Sequence, residues 1–295
     1  MNPEYLVVLI ASLCIVSVAF ARTWRRRGET GRSLLDTLSA CRTLLTLTGH
    51  FQQHRGMSSA WLSGDRSFID KLAGKASEIE VLLDSLRPIA LKENAQPHPC
   101  ITPNDLKLFR FKWGQLREKL SDLSVEQSIA QHTYLIDQLL QWLGAIGESR
   151  LEPLVAGQCS RTVVRNFVTR LPALTECLGQ ARAVGMTVAT RKGCSAVARV
   201  RLMFLIARAE ALMSQAADGQ NLGHGASTAV PHMARLVRSQ MLLSSGVTVG
   251  VQEYFDVATR AIDSVFVWIS ETGDQLAQLE LSGSGRGALV GAHGH

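Results

Sequence analysis

The sequence has 295 residues, of which 46% are hydrophobic and only 6% aromatic, and it carries a formal net charge of +6. This length allows one large domain or two small ones, and the shortage of aromatic residues favours packed helices over a β-sheet. Half of the net charge lies in the first 32 residues, so the rest of the chain lacks the dense basic stripe of a nucleic-acid-binding protein.

An uncharged apolar run, residues 5–21, lies near the start of the chain and is followed by a basic segment, residues 22–32. A helix over this run spans about 25 Å, and Tyr5 and Trp24 bring it close to the ~30 Å of a bilayer core. A peripheral helix and a cleaved signal peptide are alternatives, although no Lys or Arg precedes the run as a signal peptide requires. Because basic flanks stay in the cytoplasm, we expect a single-pass helix in the inner (cytoplasmic) membrane with the main domain in the cytoplasm.

From Ser33 onwards, apolar residues recur every three or four positions, which is typical of amphipathic helices. The first such helix is predicted to end near Leu62, and the second at Arg87, because Pro88 follows. Helix-start signals at Thr102 and Ser124 introduce the third and fourth helices.

The second half repeats this pattern. Pro172 is expected to kink or divide a long helix over residues 160–190, and Pro231 to open a later one. No alternating run of strand length is present. The predicted fold is therefore all-α, with two packed four-helix bundles after the transmembrane helix. The first bundle covers about residues 33–150 and the second about 151–280, and residues 281–295 form a disordered tail.

The sequence has no recognisable catalytic motif and no cysteine or histidine spacing typical of a metal site. His50 and His54 could meet on one helix face, but two imidazoles alone are an incomplete metal site. We therefore expect no enzyme activity, catalytic residue, metal or cofactor. A sensor, adaptor or scaffold is the expected class.

Arg55 interrupts an apolar helix row that contains Leu44 and Phe51 before it and small residues after it, Gly56, Ser58 and Ser59. A guanidinium in such a row keeps its charge and must meet an anion, carbonyl groups or a carboxylate. Two interpretations remain at this point. Arg55 either pairs with an Asp or Glu of a neighbouring helix, or it binds a small oxyanion through its planar fork.

The segment FQQHRGMSSAWL, residues 51–62, resembles the signature of the nitrate- and nitrite-sensing (NIT) domain family. Two further stretches, residues 124–140 and 174–193, are similar to the family in the same order. His54 replaces the usual glutamate of the signature. The residues that match the signature are Phe51, Gln52, Arg55, Gly56, Ser58, Trp61 and Leu62.

The resemblance implies that nitrate or nitrite binds between two helical bundles and that Arg55 is an anion ligand. It also implies a second arginine on a late helix, for which Arg238 is preferred and Arg235 is the alternative. Gln52, His54 and Ser59 are expected to support the site with the rest of the motif. If His54 titrates near pH 6.5, anion binding would also depend on pH.

We therefore expect a membrane-anchored sensor of nitrate or nitrite without an output domain of its own, which signals through a separate protein. The alternative is a ligandless helical scaffold or adaptor at the cytoplasmic face of the membrane. The expected partners are the anion, the membrane through residues 5–21 and the output protein, with no nucleic acid and with homodimerisation left open.

Overall fold

The structure is a computed structural model that describes the backbone of residues 3–217, 223, 225–243 and 246–289. Side chains are described for residues 32–217, 223, 225–243 and 246–279. These parts of the chain contain no β-strand. Their α-helices are α1 (Pro3–Leu62), α2 (Ile69–Asn94), α3 (Pro103–Glu118), α4 (Val125–Ile146), α5 (Glu152–Leu154), α6 (Arg161–Arg165), α7 (Leu171–Arg191), α8 (Ala196–Ala217), α9 (Ala226–Gln240) and α10 (Val251–Leu289).

The helices pack around two long central ones, α1 and α7. α1 lies mainly against α2 and α4, whereas α7 lies mainly against α8 and α10, and α10 also packs on α9. α1 additionally contacts α7 and α10, so the two sets of helices share an interface. The all-α prediction is confirmed, while the division into two four-helix bundles stays a prediction.

α1 is one continuous helix from Pro3 to Leu62, with no break at the predicted start of the helical body, Ser33. The side chains of residues 5–21, where the transmembrane helix is predicted, lie outside the described residues. Among the residues that are described, no helix is both long enough and apolar enough to cross a membrane. The transmembrane helix therefore stays a prediction.

Two helix starts are fixed by local hydrogen bonds, as the sequence predicts. At α3, Thr102 accepts a bond from the backbone N–H of Asp105, whose side chain in turn accepts one from the N–H of Thr102. Ser124 and Gln127 form the same reciprocal capping box at α4. Such caps satisfy N–H groups that the first helical turn leaves unpaired.

Three helix ends differ from the sequence prediction. α2 continues through Pro88 to Asn94, and α9 begins at Ala226, before Pro231. In α2 the residues beyond the proline include the buried Ala90 and Glu93, so tertiary packing outweighs the hydrogen bond that a proline removes. Beyond the predicted body, α10 remains helical through 281–289, the first part of the predicted disordered tail. Residues 290–295 lie outside the described residues.

Pro172 behaves as the sequence predicts. It lies in the first turn of α7, directly after a π-helical turn, Asn166–Arg170. The π-helical turn shifts the hydrogen-bond pattern directly before the proline, which accommodates its missing N–H. The helical segment from Arg161 to Arg191 is thus interrupted, but not ended, at this point.

Gly185 allows α10 to lie close to α7. Tyr254 of α10 is fully buried, and its hydroxyl donates a 2.6 Å hydrogen bond to the carbonyl of Ala181. A Cβ atom on Gly185 would overlap the ring and hydroxyl of Tyr254. The contact between α7 and α10 therefore depends on the missing side chain.

Replacing Gly185 with alanine is expected to lower the free energy of unfolding by about 1–3 kcal/mol, because the tyrosine ring must shift in a packed interior. Gly114 of α3 is the matched control, since a Cβ there meets nothing within 4 Å. Gly114→Ala should leave stability unchanged or raise it by up to ~1 kcal/mol through helix propensity. Urea unfolding of both variants checks this, and equal effects would contradict the packing argument.

Candidate functional site

Most of the motif residues that the sequence singled out lie in the interior of the protein. Phe51 is fully buried and packs edge-on against Phe109 and Trp113, with ring centroids 5.5 and 4.9 Å away. Ser59 donates a 2.9 Å hydrogen bond to the backbone carbonyl of Arg55, one turn earlier. Trp61 is partly buried. These residues fix the register of α1 and so direct Arg55 towards α7.

Arg55 is only 1% exposed and forms a two-pronged ion pair with Glu176 of α7. Its Nη1 donates to Glu176 Oε1 at 2.6 Å, and its Nη2 donates to Oε2 at 3.0 Å. Nη1 also donates to the hydroxyl of Thr133 in α4, at 2.8 Å. Of the two interpretations of Arg55, the structure therefore shows the carboxylate of a neighbouring helix at the guanidinium.

Glu176 is itself held by more than Arg55. Gln52 Nε2 donates to Oε2 at 3.1 Å, and Gln180 Nε2 donates to Oε1 at 2.9 Å. The other amide atom of Gln52, Oε1, is buried and has no hydrogen-bond partner. The carboxylate thus accepts bonds from one charged and two neutral side chains.

Arg182 is a second arginine of this region, one that the sequence analysis missed. It lies on α7, donates a 3.1 Å hydrogen bond to Thr259 of α10, and has its guanidinium 5.7 Å from the ring centre of Phe255. In the described part of the chain it forms no salt bridge within 4 Å. Burial lowers the pKa of Arg182 to about 10, and the nearby positive charge of Arg55 acts in the same direction. Arg182 is therefore a cation that lacks a close carboxylate partner.

The two arginines face glycines on each other's helices. A Cβ atom on Gly179 of α7 would lie 2.8 Å from Arg55 Nη2. Conversely, a Cβ atom on Gly56 of α1 would lie 3.7 Å from Arg182 Nη2. Because glycine leaves room for each guanidinium, α1 and α7 bring two positive charges to one interface.

Two exposed carboxyl groups border this interface, Asp137 of α4 and Asp263 of α10. Burial raises the pKa of Asp137, and the negative charge of Glu176 raises it further. Burial also raises the pKa of Asp263, against the lowering effect of Arg182. A further negative charge is therefore unfavourable near Asp137, where Glu176 already lies close by. Arg182, in contrast, attracts negative charge.

Arg238 and Arg235, the predicted second arginines, have other surroundings. Arg238 is half exposed and forms a two-pronged ion pair with Glu210, with distances of 2.5 and 2.6 Å. Arg235 is exposed and lines a surface groove with His232 and Arg260. No described hydrogen bond or salt bridge joins either arginine to the surroundings of Arg55. The arginine that the structure brings to Arg55 is Arg182.

His54 points away from Arg55, into the contact between α1 and α4. Its Nδ1 lies 2.8 Å from Nε2 of His132, and the ring packs edge-on against Trp113. His132 Nδ1 lies 2.7 Å from the carbonyl of Ser128, which can only accept a hydrogen bond. His132 therefore donates from Nδ1 to this carbonyl, and with both rings neutral its Nε2 accepts a hydrogen bond from Nδ1–H of His54. Ser58 adds a 3.2 Å contact to His54 Nδ1.

Burial lowers the pKa of His54 to about 4, and the charge of Arg117 lowers it further. The pKa of His132 is lowered as well, first by burial and then by His54. The pH sensitivity expected for a histidine that titrates near pH 6.5 therefore has no support in this arrangement. In the described part of the chain, no group of three His, Cys, Asp or Glu residues could hold a metal ion.

The histidine pair should make the fold sensitive to acid. The folded-state pKa of His54 lies below its ordinary value of 6.5. The unfolded chain thus binds the proton first, and stability is lost as the pH falls from about 6.5 towards 4. We expect the free energy of unfolding to fall by about 2 kcal/mol between pH 7 and pH 5 through His54 alone.

Urea unfolding at pH 7, 6 and 5 measures this loss, which should be smaller in His54→Gln. His98 is exposed, and its side chain has no described hydrogen bond, so His98→Gln is the control and should keep the wild-type pH dependence. An identical dependence in all three proteins would contradict the assignment.

Comparisons with known proteins bear on the family and the fold. The sequence model of the family described as nitrate and nitrite sensing matches residues 46–278. Among solved structures, the NasR transcription antiterminator is similar with a TM-score of 0.66 at 18% identity, over 90% of this chain and 74% of that one. No curated protein matches significantly. With its family match extending over most of its length, this chain belongs to the nitrate- and nitrite-sensing (NIT) family.

Proposed function

We propose that this protein is a non-enzymatic sensor that binds nitrate or nitrite where α1, α7 and α10 meet. Arg55 and Arg182 are the anion ligands in this proposal, with Gly56 leaving room for the guanidinium of Arg182 beside α1. Membership of the NIT family supports the choice of nitrate or nitrite as the ligand.

The observation that carries the proposal is the state of Arg182. It is a partly exposed guanidinium beside a second arginine, with one hydrogen bond to a neutral hydroxyl and, among the described residues, no carboxylate within salt-bridge distance. An arginine that is largely removed from water is normally paired, because desolvating a charge without a partner is costly. A small planar oxyanion would supply that partner and could accept hydrogen bonds from the guanidinium groups of both Arg55 and Arg182.

Binding at this place would change how the helices pack. Arg55 belongs to α1, Arg182 to α7, and the hydroxyl that Arg182 contacts belongs to α10. An anion held by both arginines would draw α1 and α7 together through a ligand that the free protein lacks. A difference in anion affinity between two packings is all that a two-state sensor requires.

The second candidate function is a ligandless helical scaffold. It is favoured by one observation, namely that Glu176 already occupies the fork of Arg55. Isothermal titration of the full-length protein with nitrate, nitrite, chloride and sulfate separates the two functions. Saturable binding of nitrate or nitrite supports the sensor, and no binding of any of the four anions supports the scaffold.

Two variants test which arginine acts with Arg55. Arg182→Gln should weaken nitrate binding by about 10- to 100-fold, since hydrogen bonds to charged groups contribute ~1.5–3 kcal/mol. Arg238→Gln is the matched control, because its partner Glu210 lies outside the proposed site. It should bind nitrate within about twofold of wild type. Loss of binding in Arg238→Gln alone would instead support the arginine preferred from the sequence.

We further propose that residues 5–21 anchor the protein in the cytoplasmic membrane, with the sensing helices on the cytoplasmic side. The uncharged run followed by the basic segment supports this proposal. The signal would then pass to a separate protein, since the sequence contains no catalytic motif. Crosslinking in intact membranes should capture that protein in a nitrate-dependent manner, and capture independent of nitrate would argue against it.

Deleting residues 2–21 is expected to move the protein from the membrane fraction to the soluble fraction, because the apolar run would be lost. Carbonate washing of membranes followed by immunoblotting measures the distribution. The control variant replaces Arg25, Arg26 and Arg27 with glutamine. It should stay with the membrane, since the apolar run is intact. A full-length protein that carbonate releases would rule out the anchor.

A further inference from the structure

We propose that Glu176 is an exchangeable internal ligand of Arg55, which the sensed oxyanion must displace. The inference rests on the proposed function and concerns how the same site is regulated. In the structure the carboxylate occupies the position that the anion would take, so the free protein holds an anion of its own in the site.

The geometry of the ion pair matches that of the proposed ligand. Glu176 offers Arg55 two oxygens of one planar group, bound at 2.6 and 3.0 Å. Nitrate and nitrite likewise present two oxygens on a planar centre and carry one negative charge. Either anion can therefore replace the carboxylate on the same fork, with the same number of charge-assisted hydrogen bonds.

A count of donors shows that the anion and the carboxylate cannot share the Nη1–Nη2 fork of Arg55. Nη1 carries two hydrogens, and both are used, one by Glu176 and one by Thr133. Nη2 gives one hydrogen of the fork to Glu176 and lies close to Gly179 of α7. Its second hydrogen and the Nε–H point outside this fork and have no hydrogen-bond partner among the described residues. An anion can use the fork of Arg55 only after Glu176 has left it.

The released carboxylate has other partners within reach. Gln52 and Gln180 already donate hydrogen bonds to its two oxygens. Both are neutral amides, so they can hold the carboxylate without competing for the incoming anion. The exchange therefore replaces one charged contact of Glu176, its ion pair with Arg55. The hydrogen bonds from Gln52 and Gln180 to Glu176 are available both before and after the exchange.

The exchange also explains how binding could be transmitted. The ion pair between Arg55 and Glu176 is a direct tie from α1 to α7, buried at both ends. When the anion takes the fork, this tie is replaced by one that runs through the ligand to Arg182. The position of α7 along α1 would then be set by the ligand rather than by Glu176.

An internal competitor lowers the apparent affinity for nitrate, because nitrate can bind only those molecules in which the fork of Arg55 is free. Glu176→Gln keeps the shape of the side chain but removes the competing charge. We therefore expect nitrate to bind this variant at least tenfold more tightly than wild type in isothermal titration. In the absence of nitrate the melting temperature should be lower, and nitrate should raise it by more than in wild type.

The chain offers a control in a second two-pronged pair between an arginine and a glutamate, which is partly buried. Arg150 donates to the two oxygens of Glu93 at 3.1 and 3.0 Å, in the contact between α2 and the turn after α4. Glu93→Gln should also lower the melting temperature, but it should leave both the nitrate affinity and the nitrate-induced shift at wild-type values. If Glu176→Gln does not fold, Glu176→Asp replaces it, since the shorter carboxylate is a weaker competitor and should tighten binding in the same direction.

The outcomes separate this inference from the proposed function. Wild-type binding with unchanged or weaker binding in the Glu176 variants overturns the internal ligand and leaves the sensor standing. Equal tightening in Glu93→Gln also overturns it, because the effect would then reflect general loosening of the fold. No binding of nitrate or nitrite by wild type or by either Glu176 variant overturns the proposed function together with the inference.

Discussion

The positive charge of Arg55 is the constraint on which this interior is built. A guanidinium does not lose its proton at physiological pH, so a 1% exposed arginine must be surrounded by acceptors. Glu176 supplies the charge, Thr133 supplies a further oxygen, and Gly179 supplies the space for Nη2. Three separate helices, α1, α4 and α7, are thus brought into register by one side chain.

Local features of the fold could be predicted from the sequence, because the interactions behind them are local. The caps at Thr102 and Ser124 involve residues three positions apart, and they form where the sequence indicates. The helix ends predicted at Pro88 and Pro231 were wrong. A proline lowers helix stability locally, but distant helices decide whether the turns on both sides of it are buried. Pro172 was a correct guide because the π-helical turn directly before it accommodates the proline locally.

The site was predicted in part for the same reason. Arg55 could be found because it interrupts an apolar row within a single helix. Glu176 and Arg182 could not, since their relevance depends on the register between α1 and α7, which are more than a hundred residues apart in sequence. The sequence does contain one signal, the short stretch from Gly179 to Arg182. Its glycine lies against Arg55, and its arginine lies near Gly56. Arg238 carries the right chemistry, but its ion pair with Glu210 lies on the surface, and no described contact joins it to the surroundings of Arg55.

The histidine at position 54 has a different meaning in three dimensions from the one that the sequence suggested. As a replacement for an acidic residue next to Arg55, it would be expected to change the charge around the anion. The side chain instead lies on the α4 side of α1, hydrogen-bonded to His132 and packed on Trp113, and its low pKa keeps it neutral. A neutral ring adds no charge to the neighbouring arginines at any pH above about 5. Position 54 therefore acts on the contact between α1 and α4, and in the proposed sensor the choice of anion falls to Arg55, Arg182 and Glu176.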